Sequence, residues 1–335
     1  MPKPKTVMLI AKEMEQRCFT EPDLNRIACV TNLTRAPADT CTDEYQQTQI
    51  AGTEIVITGW GTRPITAAML DAAPGLQLLC HSAGSLKSLI DTDLFMKRGI
   101  RVSSARSALA VGVAEFAFGM MLVSMKAVWH LTAQTACGVW DRGPALESMR
   151  EPYGATVGII GASAVGREMI RLCKTLALDA ILVYDPYVTE EEVRRLGAVR
   201  VDLDELMQRS DAVSLHTPIT EETRHLINAR NLALMKDRAI FINTARGSCV
   251  DEAALIAELR KGRLWACLDV TDPEPPVPDS PLYSLPNCIL TPHVAGAVKE
   301  NTWRQGKLVA DQIEAYVAGQ AIPGEIDLIQ HERLA

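Results

Sequence analysis

Three polar side chains in the second half of this chain have the types needed to hold an oxygen-rich anion and move a proton: Arg246, Glu274 and His293. Each follows an apolar run. Arg246 ends Phe241-Ile242-Asn243-Thr244-Ala245-Arg246, Glu274 stands in a proline-stiffened loop after Cys267-Leu268-Asp269-Val270, and His293 follows Leu290-Thr291-Pro292. A planar guanidinium grips a carboxylate and an adjacent carbonyl in a fork that an ammonium lacks. An imidazole exchanges a proton near neutral pH. A carboxylate behind it fixes its orientation and favours its charged form. Taken singly, Arg246 reads as a helix-end ion pair, Glu274 as surface and His293 as a satisfied core histidine. Three such residues at successive strand ends suit hydride transfer between a 2-hydroxy acid and a nicotinamide, with His293 as acid/base.

The nicotinamide needs a binding element, and one precedes the set. Thr156-Val157-Gly158-Ile159-Ile160-Gly161-Ala162-Ser163-Ala164-Val165-Gly166-Arg167 reads as an apolar strand, a glycine turn and the start of a helix. A helix start offers free N–H groups and a positive dipole end to a pyrophosphate. Gly161 allows the tight turn and Gly166 lets the helix pack close to the strand. Ser163 replaces the middle glycine of the usual pattern, which is tolerable if its φ stays negative. Asp185, in Val183-Tyr184-Asp185-Pro186, lies 19 residues past Gly166 at the end of the next apolar run. A carboxylate there hydrogen-bonds ribose hydroxyls and repels a 2′-phosphate, which favours NAD over NADP.

These residues must be carried by an α/β scaffold. At 335 residues the chain calls for two domains. Strand-like runs at 6–10, 54–58, 76–80 and 101–103 alternate with helix-compatible segments. A second series lies at 157–160, 181–184, 199–201, 212–216, 239–243, 265–270 and 288–290, several of them continuous Val/Ile/Leu/Ala runs expected of parallel strands covered on both faces. A last helix, 300–318, carries Val309, Ile313, Tyr316 and Val317 on one face and can return to the first domain, making it discontinuous. Ligands gather at strand carboxyl ends, which marks the loops around Gly59-Trp60-Gly61 and Gly84-Ser85-Leu86 for substrate contact.

Composition excludes other classes. A formal charge of -7 with scattered Lys and Arg argues against nucleic-acid binding. Nine cysteines without a CxxC pair or metal-ligand spacing read as reduced thiols, with no metal, in a cytoplasmic protein. The start of the chain lacks an apolar signal region. The most apolar stretch, 108–125, is long enough for a membrane span but reads better as a buried helix, so no membrane association is expected.

The blocks 161–166, Val213-Ser214-Leu215-His216-Thr217-Pro218, 243–247, 269–275 and 291–296 resemble the signature segments of the D-isomer-specific 2-hydroxyacid dehydrogenases. The resemblance runs through most of the chain and is strongest over about 94–296. It implies two Rossmann-like or flavodoxin-like domains with parallel sheets, at 1–105 plus 299–335 (substrate) and 106–298 (NAD), and an active site in the interdomain cleft. It further implies that Arg246 binds substrate, Glu274 supports the histidine and His293 is the acid/base. Ala164 and Val165 would give N–H groups to the pyrophosphate, with Gly161, Ser163, Gly166 and Asp185 completing that part of the site. His216, Thr217, Thr244, Ala245, Arg246, Asp269, His293 and Gly296 would border the rest of the cofactor, Asp269 holding the carboxamide. Gly84, Ser85 and Leu86 would meet a small 2-hydroxy or 2-keto acid, and the assembly would be a homodimer, Trp140 resembling a tryptophan that some relatives insert across it. The chain departs from the family at Lys87 and Arg106, whose charge favours a second acidic group on the substrate unless both face solvent, and at Trp60, which favours an apolar substituent. An alternative on the same fold is an NAD(H)-sensing, non-catalytic interaction protein.

Overall fold

The computed structural model describes residues 2–35, 42–143, 149–296 and 298–329. The chain divides into two compact units, one of Met1–Ala110 with Ala297–Ala335 and one of Val111–Gly296.

The first unit is built on a five-stranded parallel sheet. Its strands are β1 (Lys5–Met8), β2 (Asn32–Thr34), β3 (Ile55–Thr58), β4 (Leu78–His81) and β5 (Arg101–Ser104), in the spatial order β2-β1-β3-β4-β5. That is the flavodoxin-like order, with its switch point between β1 and β3. One face carries Val7, Val56, Leu79, Phe95 and Val102. The other, with Met8, Ile10, Ile55, Ile57 and Leu78, is covered by α1 (Lys12–Cys18), α2 (Glu21–Val30) and the returning helix. That helix, Lys299–Val317, buries Val309, Ala310 and Ile313. It approaches α1 so closely that a Cβ on Gly306 would lie 2.2 Å from the Cys18 carbonyl oxygen. Arg26 of α2 reaches Asp311 at 2.6 Å and Glu314 at 2.5 Å on the returning helix. The discontinuity is thus held by apolar burial plus backbone contact, with ion pairs at the rim.

The second unit is a seven-stranded parallel sheet. Its strands are β6 (Thr156–Ile160), β7 (Ala180–Tyr184), β8 (Val199–Arg200), β9 (Ala212–Leu215), β10 (Ile240–Asn243), β11 (Trp265–Leu268) and β12 (Cys288–Leu290). The order β12-β11-β10-β9-β6-β7-β8 is that of a doubly wound dinucleotide fold, reversing between β6 and β9. Two apolar layers cover its faces, one with Leu206, Val213, Phe241, Leu255 and Leu264, the other with Val157, Ile159, Met169, Ile170, Val183 and Ile242.

The apolar stretch forms one helix, Arg106–Met125, continued by a second, Val128–Ala136. The first is long and apolar enough to cross a membrane by length and composition, and 44% of its most apolar window is buried. The expectation of a buried helix therefore holds on one face: Ala110, Ala114, Ala117, Met121 and Met125 are buried, while Phe116, Phe118 and Leu122 are partly exposed.

Candidate active site

The glycine turn sits at the switch point of the second sheet. Gly161 has φ +92, and a Cβ there would lie 2.9 Å from the carbonyl carbon and oxygen of His216 at the end of β9. Only glycine satisfies both conditions. Gly166 permits a closer approach still, since its Cβ would stand 2.0 Å from the Gly161 carbonyl oxygen. Ser163 has φ −63 and caps the helix Ala164–Cys173, its Oγ accepting the Gly166 N–H at 3.4 Å. The serine thus replaces a glycine by adding a cap. Capping leaves the N–H groups of Ala164 and Val165, in the first helical turn, without intrahelical acceptors.

Asp185 lies just past β7. One carboxylate oxygen accepts the Ala162 N–H at 2.8 Å and the other the Tyr187 N–H at 2.9 Å. The acid therefore braces the glycine turn directly, and each oxygen keeps lone-pair capacity for a further donor.

At the ends of β9 and β10 three buried polar atoms have no partner among the described residues: His216 Nδ1, Thr217 Oγ1 and Thr244 Oγ1. His216 is held through Nε2 by Ser214 Oγ at 2.9 Å, and burial pushes its pKa down to about 3, so the ring is neutral. Each orphan costs on the order of 1–3 kcal/mol unless something else satisfies it. The three, past the carboxyl ends of β9 and β10 with His216 and Thr217 against Gly161, fit a bound dinucleotide.

Arg246 follows β10. Asn243 clamps the turn, accepting the Ala245 N–H at 3.0 Å and donating to the Arg246 carbonyl at 2.9 Å. Arg246 is half-buried, and its Nη1 donates to the Ala245 carbonyl at 2.6 Å, which leaves most of the guanidinium fork available. Gly247 lets this turn lie on the next one, since a Cβ there would be 2.0 Å from the carbonyl of Thr271.

Asp269, after β11, is buried. Its carboxylate accepts from Thr291 Oγ1 at 2.6 Å and from the N–H groups of Val294 and Ala295, each at 2.9 Å. Its carbonyl accepts the His293 N–H at 3.0 Å. These bonds hold His293 at φ +52, a left-handed conformation that costs a non-glycine residue about 1–2 kcal/mol. His293 Nδ1 meets Glu274 Oε1 at 2.6 Å, a charge-assisted distance once the ring is protonated. No described residue bonds its Nε2. Glu274 and His293 line one cavity of about 630 Å³ with Thr271, Tyr283, Leu290 and Pro292. Half-buried Gly296 ends this loop.

The remaining expected residues lie in the first unit. In the loop after β4, Gly84 is half-buried and Ser85 exposed. The Leu86 side chain is buried in the core, so only its backbone is available to a ligand. His81 supports this loop from beneath, its Nδ1 3.0 Å from Thr58 Oγ1, and burial lowers its pKa to about 4. Trp60 packs partly buried beside the apolar layer, with the Arg17 guanidinium 5.8 Å from its ring centre. Lys87 lines a shallow recess with Asp91 and Asp93. Sequence reasoning missed the roles of Asn243 and His81. Asn243, a strand-end asparagine two residues before the N–H it accepts, was the findable one.

Residues 118–295 match the family model described as D-isomer specific 2-hydroxyacid dehydrogenase, NAD binding domain. The chain is 33% identical to a D-3-phosphoglycerate dehydrogenase of Methanocaldococcus jannaschii over 88% of its own length and 56% of that protein's. It is 36% identical to a glyoxylate reductase of Korarchaeum cryptofilum, over 79% of this chain and 80% of the relative. It thus spans little more than half of the first and most of the second. Among solved structures, D-mandelate dehydrogenase of Rhodotorula graminis superposes with a TM-score of 0.82 at 24% identity, covering 97% of this chain and 98% of that one, a likeness of fold.

Proposed function

The chain belongs to the D-isomer-specific 2-hydroxyacid dehydrogenases, a family of NAD-dependent oxidoreductases, and on that premise we propose that it interconverts a small D-2-hydroxy acid and its 2-keto acid. The observation that carries this reading is the Glu274–His293 pair, 2.6 Å apart on the wall of one cavity with His293 Nε2 unengaged by the described residues. When bound, NAD supplies the hydride acceptor or donor. Gly161, Ser163, Ala164, Val165, Gly166 and Asp185 would hold its adenosine and pyrophosphate end. His216, Thr217, Thr244, Ala245, Asp269 and Gly296 would border the remainder, and the three orphaned polar atoms support that role.

Arg246 would clamp the substrate's oxygens, and the N–H groups of Ser85 and Leu86 would take its carboxylate. His293 would donate the proton to the carbonyl oxygen during reduction and recover it in the reverse direction. Glu274 would orient the ring and favour its charged form without touching substrate. A homodimer through the second unit is part of the reading. It is supported by the half-exposed apolar helix Arg106–Met125, by a following helix without a buried residue, and by Trp140, 91% exposed. Sedimentation of the parent against Trp140→Ala tests it, and a monomeric parent rejects it.

The reaction is tested by NADH oxidation with glyoxylate, hydroxypyruvate, pyruvate, 2-ketoisocaproate, phenylpyruvate, oxaloacetate and phosphohydroxypyruvate. Turnover with one class, lost in His293→Ala while NADH still binds, is expected. NADH binding without turnover on any of them would favour a sensor on the same fold.

A further inference from the structure

Arg106 is placed where a cation does nothing for the fold. It is the first residue of the 20-residue helix Arg106–Met125, whose first turn has no acidic residue, so its charge meets the positive end of the helix dipole. It is half-buried, yet no described residue gives it a hydrogen bond or ion pair. Burial lowers its pKa, the direction expected of a cation that has lost water and gained no carboxylate. Two residues earlier, Ser104 is wholly buried and its hydroxyl is also without a partner among the described residues.

His81 and Ser104 are register partners at the ends of β4 and β5, and the Ala105 N–H donates to the His81 carbonyl at 2.9 Å. A Cβ on Gly84 would stand 3.4 Å from the Leu109 side chain, so the loop after β4 lies against the first turn of this helix. One cation, a helix start and the loop proposed to receive the substrate carboxylate therefore share one end of one sheet. Neither His81, neutral through burial, nor any described carboxylate offsets the charge.

We propose that Arg106, beside the loop at residues 84–86 that takes the first carboxylate, forms an anion subsite for a second carboxylate on the substrate, so that this chain prefers dicarboxylic 2-oxo acids to the monocarboxylic ones that lack only that group. The proposal rests on the assignment of that loop to the substrate.

Calorimetry on the NAD⁺-loaded protein tests the subsite without turnover. The probes are matched pairs, oxaloacetate against pyruvate and 2-oxoglutarate against 2-oxobutyrate, with the parent, Arg106→Gln and Arg106→Lys. The parent should bind each dicarboxylate at least about tenfold tighter than its partner. Arg106→Gln should erase that margin, a loss of about 10- to 100-fold, with monocarboxylate and NADH affinities unchanged; Arg106→Lys should restore part of it. A parent without the margin, or a margin that survives in Arg106→Gln, overturns the subsite. NADH oxidation with the same pairs tests the reaction separately: an Arg106-dependent margin without any turnover would reject the oxidoreductase reading and keep the subsite.

Discussion

Replacing Glu274 by glutamine keeps the shape of the acid and removes its charge, which isolates what that charge does for His293. The two side chains meet at 2.6 Å and are 42% and 51% exposed. Charges about 4 Å apart interact by about 1 kcal/mol in water and about 4 kcal/mol at an effective dielectric near 20. Half-exposed groups fall toward the lower figure because water screens them. Each 1.36 kcal/mol is about tenfold in rate, so the loss is worth at most about that factor. Removing an anion disfavours the protonated imidazole, so the alkaline limb of the reduction profile should move to lower pH. In Glu274→Gln, kcat/KM for keto-acid reduction should fall up to tenfold above the parent's limb and stay within about twofold well below it. Steady-state rates from pH 5 to 9, with NADH affinity as control, measure this. A uniform loss at every pH would mean that Glu274 only positions the ring, and an unmoved profile would remove it from the mechanism.

Other perturbations address other parts of the site. Gly166→Ala would press a Cβ to 2.0 Å from the Gly161 carbonyl oxygen; thermal melts and NADH fluorescence titration should report at least about 2 kcal/mol of lost stability and at least tenfold weaker binding, and an unaltered protein refutes the close approach. Asp185→Ser should narrow the preference for NADH over NADPH at least tenfold, because a carboxylate at the ribose repels a 2′-phosphate; an unchanged ratio of kcat/KM values would dissociate Asp185 from the ribose. His216 and His81 have pKa values pushed down by burial, to about 3 and about 4. Folding therefore excludes a proton that the unfolded chain binds below about pH 6.5, and stability is lost as pH falls from there toward those values. The two imidazoles together should remove about 3 kcal/mol between pH 6.5 and 5. Urea unfolding of the parent and His216→Asn should show their share of the slope halved, and an identical slope would contradict a buried neutral ring.

The parts of the site that were legible in the sequence are those written in short range. The turn from Gly161 to Gly166 is one uninterrupted segment whose glycines are demanded by backbone contacts. The returning helix was visible because Val309 and Ile313 recur at one turn's spacing. By contrast β2 was missed: it is three residues, Asn32–Thr34, at a sheet edge, with no buried side chain and hence no apolar pattern. Ser163 was read as a tolerated intrusion, although serine before a helix is itself a capping signal. Trp60 packs beside Arg17, a contact between residues 43 apart in the chain that no local pattern announces.

Asp269 explains most directly why local pattern ran out. Its oxygens accept from Thr291, Val294 and Ala295, 22 to 26 residues further along. Bonds of that span exist only once β11 and β12 pair, with Leu268 opposite Leu290. They are what hold His293 in its left-handed conformation and so set the direction in which Nε2 faces. The carboxylate that orients the ring, Glu274, and the one that orients the backbone, Asp269, are therefore separate devices. Loss of the first should act through charge and appear as a pH effect; loss of the second should act through geometry and lower the rate at every pH.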